Sequence, residues 1–324
     1  MDDLVQRTYY GVLKKSYELA DLTLELYSPG FQTGQLIVAE IKPKSPEITF
    51  ASATLTSKKT ATTFPIAPSS SQYKVLMATD IEDKKGEYCL KIIYTKGSEI
   101  LTETIPIQIE RNRFKRQTPL FIPIPETVPY GPYQSLIPET PGDKACFTHI
   151  PTAGNADLSF KLPHHGELTG YFGDLRQYQG GDGNLHTRRH DGLDINGNKG
   201  DPVLAAIDGI VAYAGWYNGR SGNSVIVNNG TGLYTSYTHL SGFGVKPGQE
   251  IKQEEVIGFL GNSGKPLNPH QKYRPHLHFG AKIIGMTTEG KPKECTIDPI
   301  SLTVLEYLHE KEKDSNAAPD HGRK

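Results

Sequence analysis

The sequence predicts an all-β protein, and three observations carry that prediction. Apolar and β-branched residues occur in short runs, as in Leu22-Thr23-Leu24-Glu25-Leu26-Tyr27 and Leu36-Ile37-Val38-Ala39-Glu40-Ile41. Glycine and proline punctuate those runs heavily, with 33 and 23 copies among 324 residues. No useful length of helical periodicity interrupts them between residues 160 and 302.

The first twenty residues are ambiguous between a helix and a first strand. Over the rest of residues 1–110, short strands such as Tyr88-Cys89-Leu90-Lys91-Ile92-Ile93-Tyr94, separated by Gly, Pro and Ser clusters, suggest a β-sandwich of immunoglobulin-like size. Residues 111–159 change character. A basic knot, Arg111-Asn112-Arg113-Phe114-Lys115-Arg116, leads into a stretch whose prolines, from Pro119 to Pro141, exclude a regular helix or a central strand. This segment reads as a semi-rigid linker, and the knot as solvated surface rather than a docking patch. Residues 160–308 turn strand-rich again in Gly209–Ala214, Ser224–Asn228, Leu233–Tyr237 and Glu255–Leu260, predicting an antiparallel domain that closes on a short helix over Ser301–Leu308. The charged, apolar-poor tail 309–324 is expected to be disordered.

Composition removes several functions. Lys plus Arg number 35 against 36 Asp plus Glu, a net charge of -1 that recommends neither nucleic acid nor an anionic membrane as partner. Cys89, Cys146 and Cys295 lie far apart without C-x-x-C spacing, which argues against thiolate metal sites and a disulfide-dense scaffold. No run of about 18 apolar residues predicts a membrane span. The N-terminal segment has neither the basic nor the apolar region of an export signal, which fits a chain without one or a chain from which a signal or anchor was removed.

Histidines carry the chemical signal. In an extended strand the two imidazoles of His276-Leu277-His278 point to one face, roughly 7 Å apart at ~3.3 Å per residue. His190 and Asp194 are four residues apart, a spacing that puts both on one side whether the segment is helical or extended, and Gly192 between them argues for the extended or turn form. Neutral imidazole and carboxylate are the donors a catalytic zinc prefers, with a fourth position left for water, whose pKa the metal pulls to about 7. His190, Asp194 and one histidine of the triplet make such a set, and a further histidine could then move the proton. Taken singly, each motif reads more readily as structural: His190 with Asp194 as a surface pair, Tyr237-Thr238-His239-Leu240 as a strand end, the triplet as half-buried imidazoles. Their convergence in one domain favours a metal.

In this order, His190…Asp194, Tyr237-Thr238-His239-Leu240 and His276-Leu277-His278-Phe279 resemble the LytM/lysostaphin-type zinc metalloendopeptidases, whose pattern is H-x-x-x-D, then Y-x-H-L, then H-L-H-F. The resemblance runs from about residue 160 to 302, through Phe172-Gly173-Asp174-Leu175-Arg176, Gly200–Ala205, Asp208–Val211, Val245–Gln249 and Val256–Gly261. It implies a central antiparallel sheet lining a narrow groove and hydrolysis of peptide bonds in peptidoglycan, hence a periplasmic or cell-envelope location. It implies His190, Asp194 and His278 as ligands of one Zn2+ per chain, with His239 and His276 as the catalytic pair. The labour of that pair is not divided by the resemblance; the preferred assignment makes His276 the base and His239 the oxyanion stabiliser. Both zinc-binding histidines would need acceptors on their other ring nitrogens.

Two departures from the pattern stand out. A long segment, Lys265–Pro275, precedes the triplet, and a long loop, Gln177–Arg189, precedes His190. Tyr178 is a weak candidate for the oxyanion-assisting tyrosine of some family members. His186 and His270, in those loops, read as exposed imidazoles more readily than as substrate contacts. The N-terminal sandwich resembles, more loosely, β-rich modules that precede the peptidase domain in envelope members, and it or the linker could lie across the groove and limit access. The competing function is a catalytically inactive regulator that activates a separate amidase; such relatives have lost zinc ligands, whereas here every ligand and catalytic position is filled. A wall-binding sandwich with an incidental histidine cluster is a third, remoter reading.

Overall fold

The computed structural model describes residues 11–69, 72–115, 120–122, 157–179, 185–218, 221–264 and 274–317. The all-β expectation holds. Nine strands come first: β1 (Leu13–Glu18), β2 (Leu22–Ser28), β3 (Leu36–Pro43), β4 (Ile48–Thr56), β5 (Ala61–Phe64), β6 (Ala67–Ser69), β7 (Gln72–Ala78), β8 (Gly86–Lys96) and β9 (Glu99–Ile109). The ambiguous start resolves as strand over β1. Strands β1, β2, β3, β7 and β6 form one antiparallel sheet, while β5, β4, β8 and β9 lie in another. Period-two burial explains the pairing: Leu22, Leu24 and Leu26 of β2 are inside, as are Leu90, Ile92 and Tyr94 of β8 and Ile105, Ile107 and Ile109 of β9.

Most of the proline-rich stretch falls outside the described residues. Its Leu120–Ile122 form β10, which pairs in parallel with Arg176–Tyr178. The remaining strands are β11 (Leu168–Gly170), β12 (Leu175–Gln179), β13 (Leu185–Arg189), β14 (Gly192–Asn196), β15 (Pro202–Leu204), β16 (Gly209–Asn218), β17 (Gly222–Asn228), β18 (Leu233–Thr238), β19 (Gly242–Phe243), β20 (Glu250–Ile251), β21 (Val256–Phe259), β22 (His276–Thr287) and β23 (Pro292–Ile297). The segment expected as a long loop before His190 is instead an antiparallel hairpin, β12–β13, which places Arg176 opposite Arg188 and Tyr178 opposite His186.

Strand β22 organises the molecule. Its first half lies between β14 and β18, its second half pairs with β23, and its end meets β5 through Met286 opposite Thr63 and Thr287 opposite Thr62. One sheet therefore runs from β20, through the histidine-bearing strand, out to β9. The buried side chains likewise form one main cluster, from Leu22 to Leu308.

A 3₁₀ turn, Pro299–Leu302, leads into helix α1 (Thr303–Ala317). The helix extends well beyond Leu308, so residues 309–317 are ordered, contrary to the expectation for a charged, apolar-poor tail. Distant partners supply what local composition lacks. Lys311 Nζ lies 2.6 Å from the Tyr27 hydroxyl and 3.4 Å from Glu40, and Glu312 accepts from Lys74 at 2.7 Å. Residues 318–324 lie outside the described residues. Among the described residues, no helix is long and apolar enough to cross a membrane.

Asp298 caps the 3₁₀ turn by accepting from Ile300 N at 3.0 Å, and its own N–H donates to Gly34 O at 2.7 Å. Burial pushes its carboxyl up from 3.8 to about 7. The protonated form is thus favoured in the fold, and its contribution, complete below about pH 4, is lost as pH rises through 7. Asp298→Asn keeps a capping oxygen without a charge. It should leave the melting temperature unchanged near pH 4 and raise it at pH 8, by a stability gain on the order of 2–4 kcal/mol; an equal or lower melting temperature at pH 8 would refute this.

Candidate metal centre

The site is assembled by face alternation on two neighbouring strands. On β14, Leu193 and Ile195 enter the core; on β22, Leu277 and Phe279 do the same. Asp194, His276 and His278 consequently stand on the opposite face. Asp194 is directly opposite His278, and His278 is opposite Thr238 on its other side. His190, just before β14, has its backbone N–H bonded to Asp174 O at 2.9 Å and turns its ring over the same face.

Three atoms meet there. His190 Nε2 is 3.0 Å from His278 Nδ1 and 3.1 Å from Asp194 Oδ1, and His278 Nδ1 is 3.0 Å from that same oxygen. A tetrahedral metal about 2.0–2.1 Å from each donor needs donors about 3.3 Å apart, so this triangle is close to a ready face for one. The donor chemistry fits as well. Two imidazole nitrogens and a carboxylate oxygen at such distances leave room for at most a proton or a cation between them, and the set is the one group of described residues of metal-binding type.

The surroundings fix each donor. The Tyr171 carbonyl can only accept, so His190 Nδ1, 2.9 Å away, carries the ring proton and Nε2 keeps its lone pair. Burial lowers the His190 pKa and keeps that ring neutral. Arg176 Nη2 donates to Asp194 Oδ2 at 2.8 Å, leaving Oδ1 for the triangle. Burial works against ionisation of Asp194, but His190, His278 and Arg176 outweigh it and hold the carboxyl well below the usual range. Gly170 makes the ion pair possible, because a Cβ there would fall 2.2 Å from Asp194 Oδ2.

His239 and His276 stand beside the triangle with ring centroids 4.7 Å apart. His239 Nδ1 donates to Ser263 O at 3.0 Å and His276 Nδ1 to Arg274 O at 2.8 Å, so each ring turns Nε2 away from its backbone acceptor. His276 Nε2 is 3.9 Å from Asp194 Oδ1. The His239 backbone has φ +64°, a left-handed conformation uncommon for histidine. Its pKa is pushed down to about 3, first by burial and then by the neighbouring His276 and His278.

All five residues singled out in the sequence therefore meet in one place. His186 lies on β13 opposite Tyr178 of β12, and neither is one of the three donors, while His270 and residues 265–273 are outside the described residues. The sequence reading assigned no role to Arg176, Gly170 or Ser263. Arg176 had a signal in Phe172–Arg176, a quoted stretch of the resemblance; Ser263 acts through its carbonyl, which no side-chain pattern reveals.

A sheet face carrying this donor set, flanked by two further histidines, meets the requirements of a metal site with proton-handling groups beside it. Residues 188–292 match the model of peptidase family M23, and the chain carries a domain of that family. The L-Ala–D-Glu endopeptidase of Bacillus subtilis (strain 168) is 34% identical over 154 residues, covering 45% of this chain and 44% of that protein. The DD-carboxypeptidase/endopeptidase Mpg of Neisseria meningitidis serogroup B is 39% identical over 121 residues, 37% of this chain and 24% of that one. The catalytic domain of lysostaphin from Staphylococcus simulans is 30% identical, covering 38% of this chain and 80% of that one, with a TM-score of 0.30. The chain thus spans less than half the length of these two curated relatives.

Proposed function

We propose that this protein is a zinc-dependent endopeptidase that hydrolyses peptide bonds in peptidoglycan cross-links or stem peptides. The observation that carries the reading is the triangle of His190 Nε2, Asp194 Oδ1 and His278 Nδ1, with edges of 3.0–3.1 Å, beside two more histidines. His190, Asp194 and His278 would hold one zinc ion. When bound, zinc supplies Lewis acidity, lowering the pKa of water to about 7 and polarising a peptide carbonyl. The names of the relatives support the substrate class, since L-Ala–D-Glu and D-amino-acid linkages are bonds of peptidoglycan peptides.

His276 is assigned the base. Its Nδ1 is tied to Arg274 O at 2.8 Å, and its Nε2 lies 3.9 Å from Asp194 Oδ1 of the donor triangle. His239 is the poorer acceptor, since burial and its neighbours hold it neutral. A proton taken up by His276 at Nε2 would pass to the leaving amine, and His239 is assigned the hydrogen bond to the developing oxyanion, made through Nε2 when that nitrogen is protonated.

Because peptidoglycan lies outside the cytoplasmic membrane, a periplasmic or cell-envelope location follows from the substrate. Occlusion of the groove by the N-terminal module or the linker is also proposed; its support is that β10 lies alongside β12, the strand that carries Arg176. Mass spectrometry of fragments released from purified peptidoglycan by the full chain tests the activity. Paired new amino and carboxyl termini at one peptide bond are expected. No cleavage either by the zinc-loaded full chain or by zinc-loaded residues 155–324 would refute the reading, cleavage by the shorter chain alone would show occlusion, and stimulation of an added amidase without cleavage would point to the regulator.

A further inference from the structure

The two carboxylates that flank Gly192-Leu193 are both held by arginines of one hairpin. Arg176 on β12 and Arg188 on β13 are directly opposite one another, an arrangement of like charges that is unfavourable by itself. Each is answered by an aspartate: Arg176 Nη2 lies 2.8 Å from Asp194 Oδ2, and Arg188 Nη2 lies 3.4 Å from Asp191 Oδ2. Asp194 belongs to the donor triangle. Asp191 does not, yet its other oxygen, Oδ1, is 3.7 Å from His278 Nε2.

That approach has a definite chemical sense. His278 turns Nδ1 toward Asp194 and His190, so a neutral ring must carry its proton on Nε2, the atom that faces Asp191. His190 is oriented by a neutral carbonyl, that of Tyr171, whereas His278 faces a carboxylate. A carboxylate acceptor both orients a ligating imidazole and strengthens it as a donor. The backbone leaves the ring little other room, since a Cβ at Gly192 would fall 2.8 Å from His278 Nε2 and 2.4 Å from Phe279 O.

We infer that Asp191, fastened by Arg188 of the β12–β13 hairpin, is a positioning residue that orients His278 and raises its strength as a metal ligand. The inference rests on the zinc reading above and deepens it. It makes the hairpin a single brace with two arms, one through Arg176 to Asp194 and the other through Arg188 and Asp191 to His278.

The test is competition between the full-length chain and a chelator for zinc, with kcat and KM measured on the same preparations. Asp191→Ala is expected to weaken zinc binding about 10–100-fold. At saturating zinc, kcat should fall while KM holds, because Asp191 acts through His278 rather than on substrate. Asp191→Asn, which keeps an acceptor oxygen without the charge, should recover part of the loss. Zinc affinity within twofold of wild type for Asp191→Ala overturns the inference while leaving the zinc reading intact. Should the alanine variant fail to fold, zinc affinity within twofold of wild type for Asp191→Ser, whose shorter side chain carries no charge, overturns it. A wild-type chain that binds no zinc overturns both.

Discussion

His278→Ala is expected to abolish stoichiometric zinc binding and to lower peptide-bond hydrolysis by at least about 10³-fold, the scale on which removal of one member of an interdependent catalytic set is felt. The substitution removes Nδ1, which lies 3.0 Å from both His190 Nε2 and Asp194 Oδ1, and so opens one corner of the triangle. It should spare the fold. His278 projects from the face opposite the core, and the side chains that anchor its strand, Leu277 and Phe279, are unchanged. Elemental analysis, a melting curve in chelator and a rate assay together decide it; a variant that keeps one zinc per chain and a wild-type rate would remove the basis of the proposed function.

His239→Asn should give the opposite pattern, with zinc retained and kcat lowered about 10²–10⁴-fold, the range for losing a positioned proton-handling group. Asparagine is the informative replacement because His239 occupies a left-handed backbone conformation at φ +64°, which asparagine tolerates better than most residues. Backbone strain therefore does not confound the result. His239 is not among the triangle's three donors, so zinc affinity should stay within about twofold while turnover collapses. Loss of zinc would place His239 among the ligands, and unchanged turnover would remove it from the catalytic pair.

These contrasting outcomes reflect a division that local pattern could partly anticipate. The H-x-H triplet required only strand alternation to put two imidazoles on one face, and β22 does so, with Leu277 between them fully buried. The spacing of His190 and Asp194 likewise put them on one side, although His190 precedes the strand rather than lying in it. The hairpin β12–β13 escaped notice because Leu175–Gln179 and Leu185–Arg189 lack apolar alternation and flank a Gly-rich tip. What holds them as strands is pairing with each other and with β10. The last turns of α1 escaped for a related reason: Lys311 and Glu312 are ordered by Tyr27, Glu40 and Lys74, more than 200 residues away in sequence.

From the sequence came the all-β class and the donor types of a metal site, since alternation, turn residues and donor identity are local properties, and the family resemblance completed the set of five candidate residues. Tertiary structure decided which nitrogen each histidine presents. Tyr171 O, Ser263 O and Arg274 O assign the ring protons of His190, His239 and His276, and the first two of those acceptors lie far along the chain from the rings they orient. It also decided that β5 and β22 join the N-terminal strands and the histidine-bearing strands in one sheet, through the residue pairs at the end of β22. The physical reason is common to both. A hydrogen bond or a strand pairing between distant segments depends on where the chain returns in space, and residue pattern along the chain does not encode that directly.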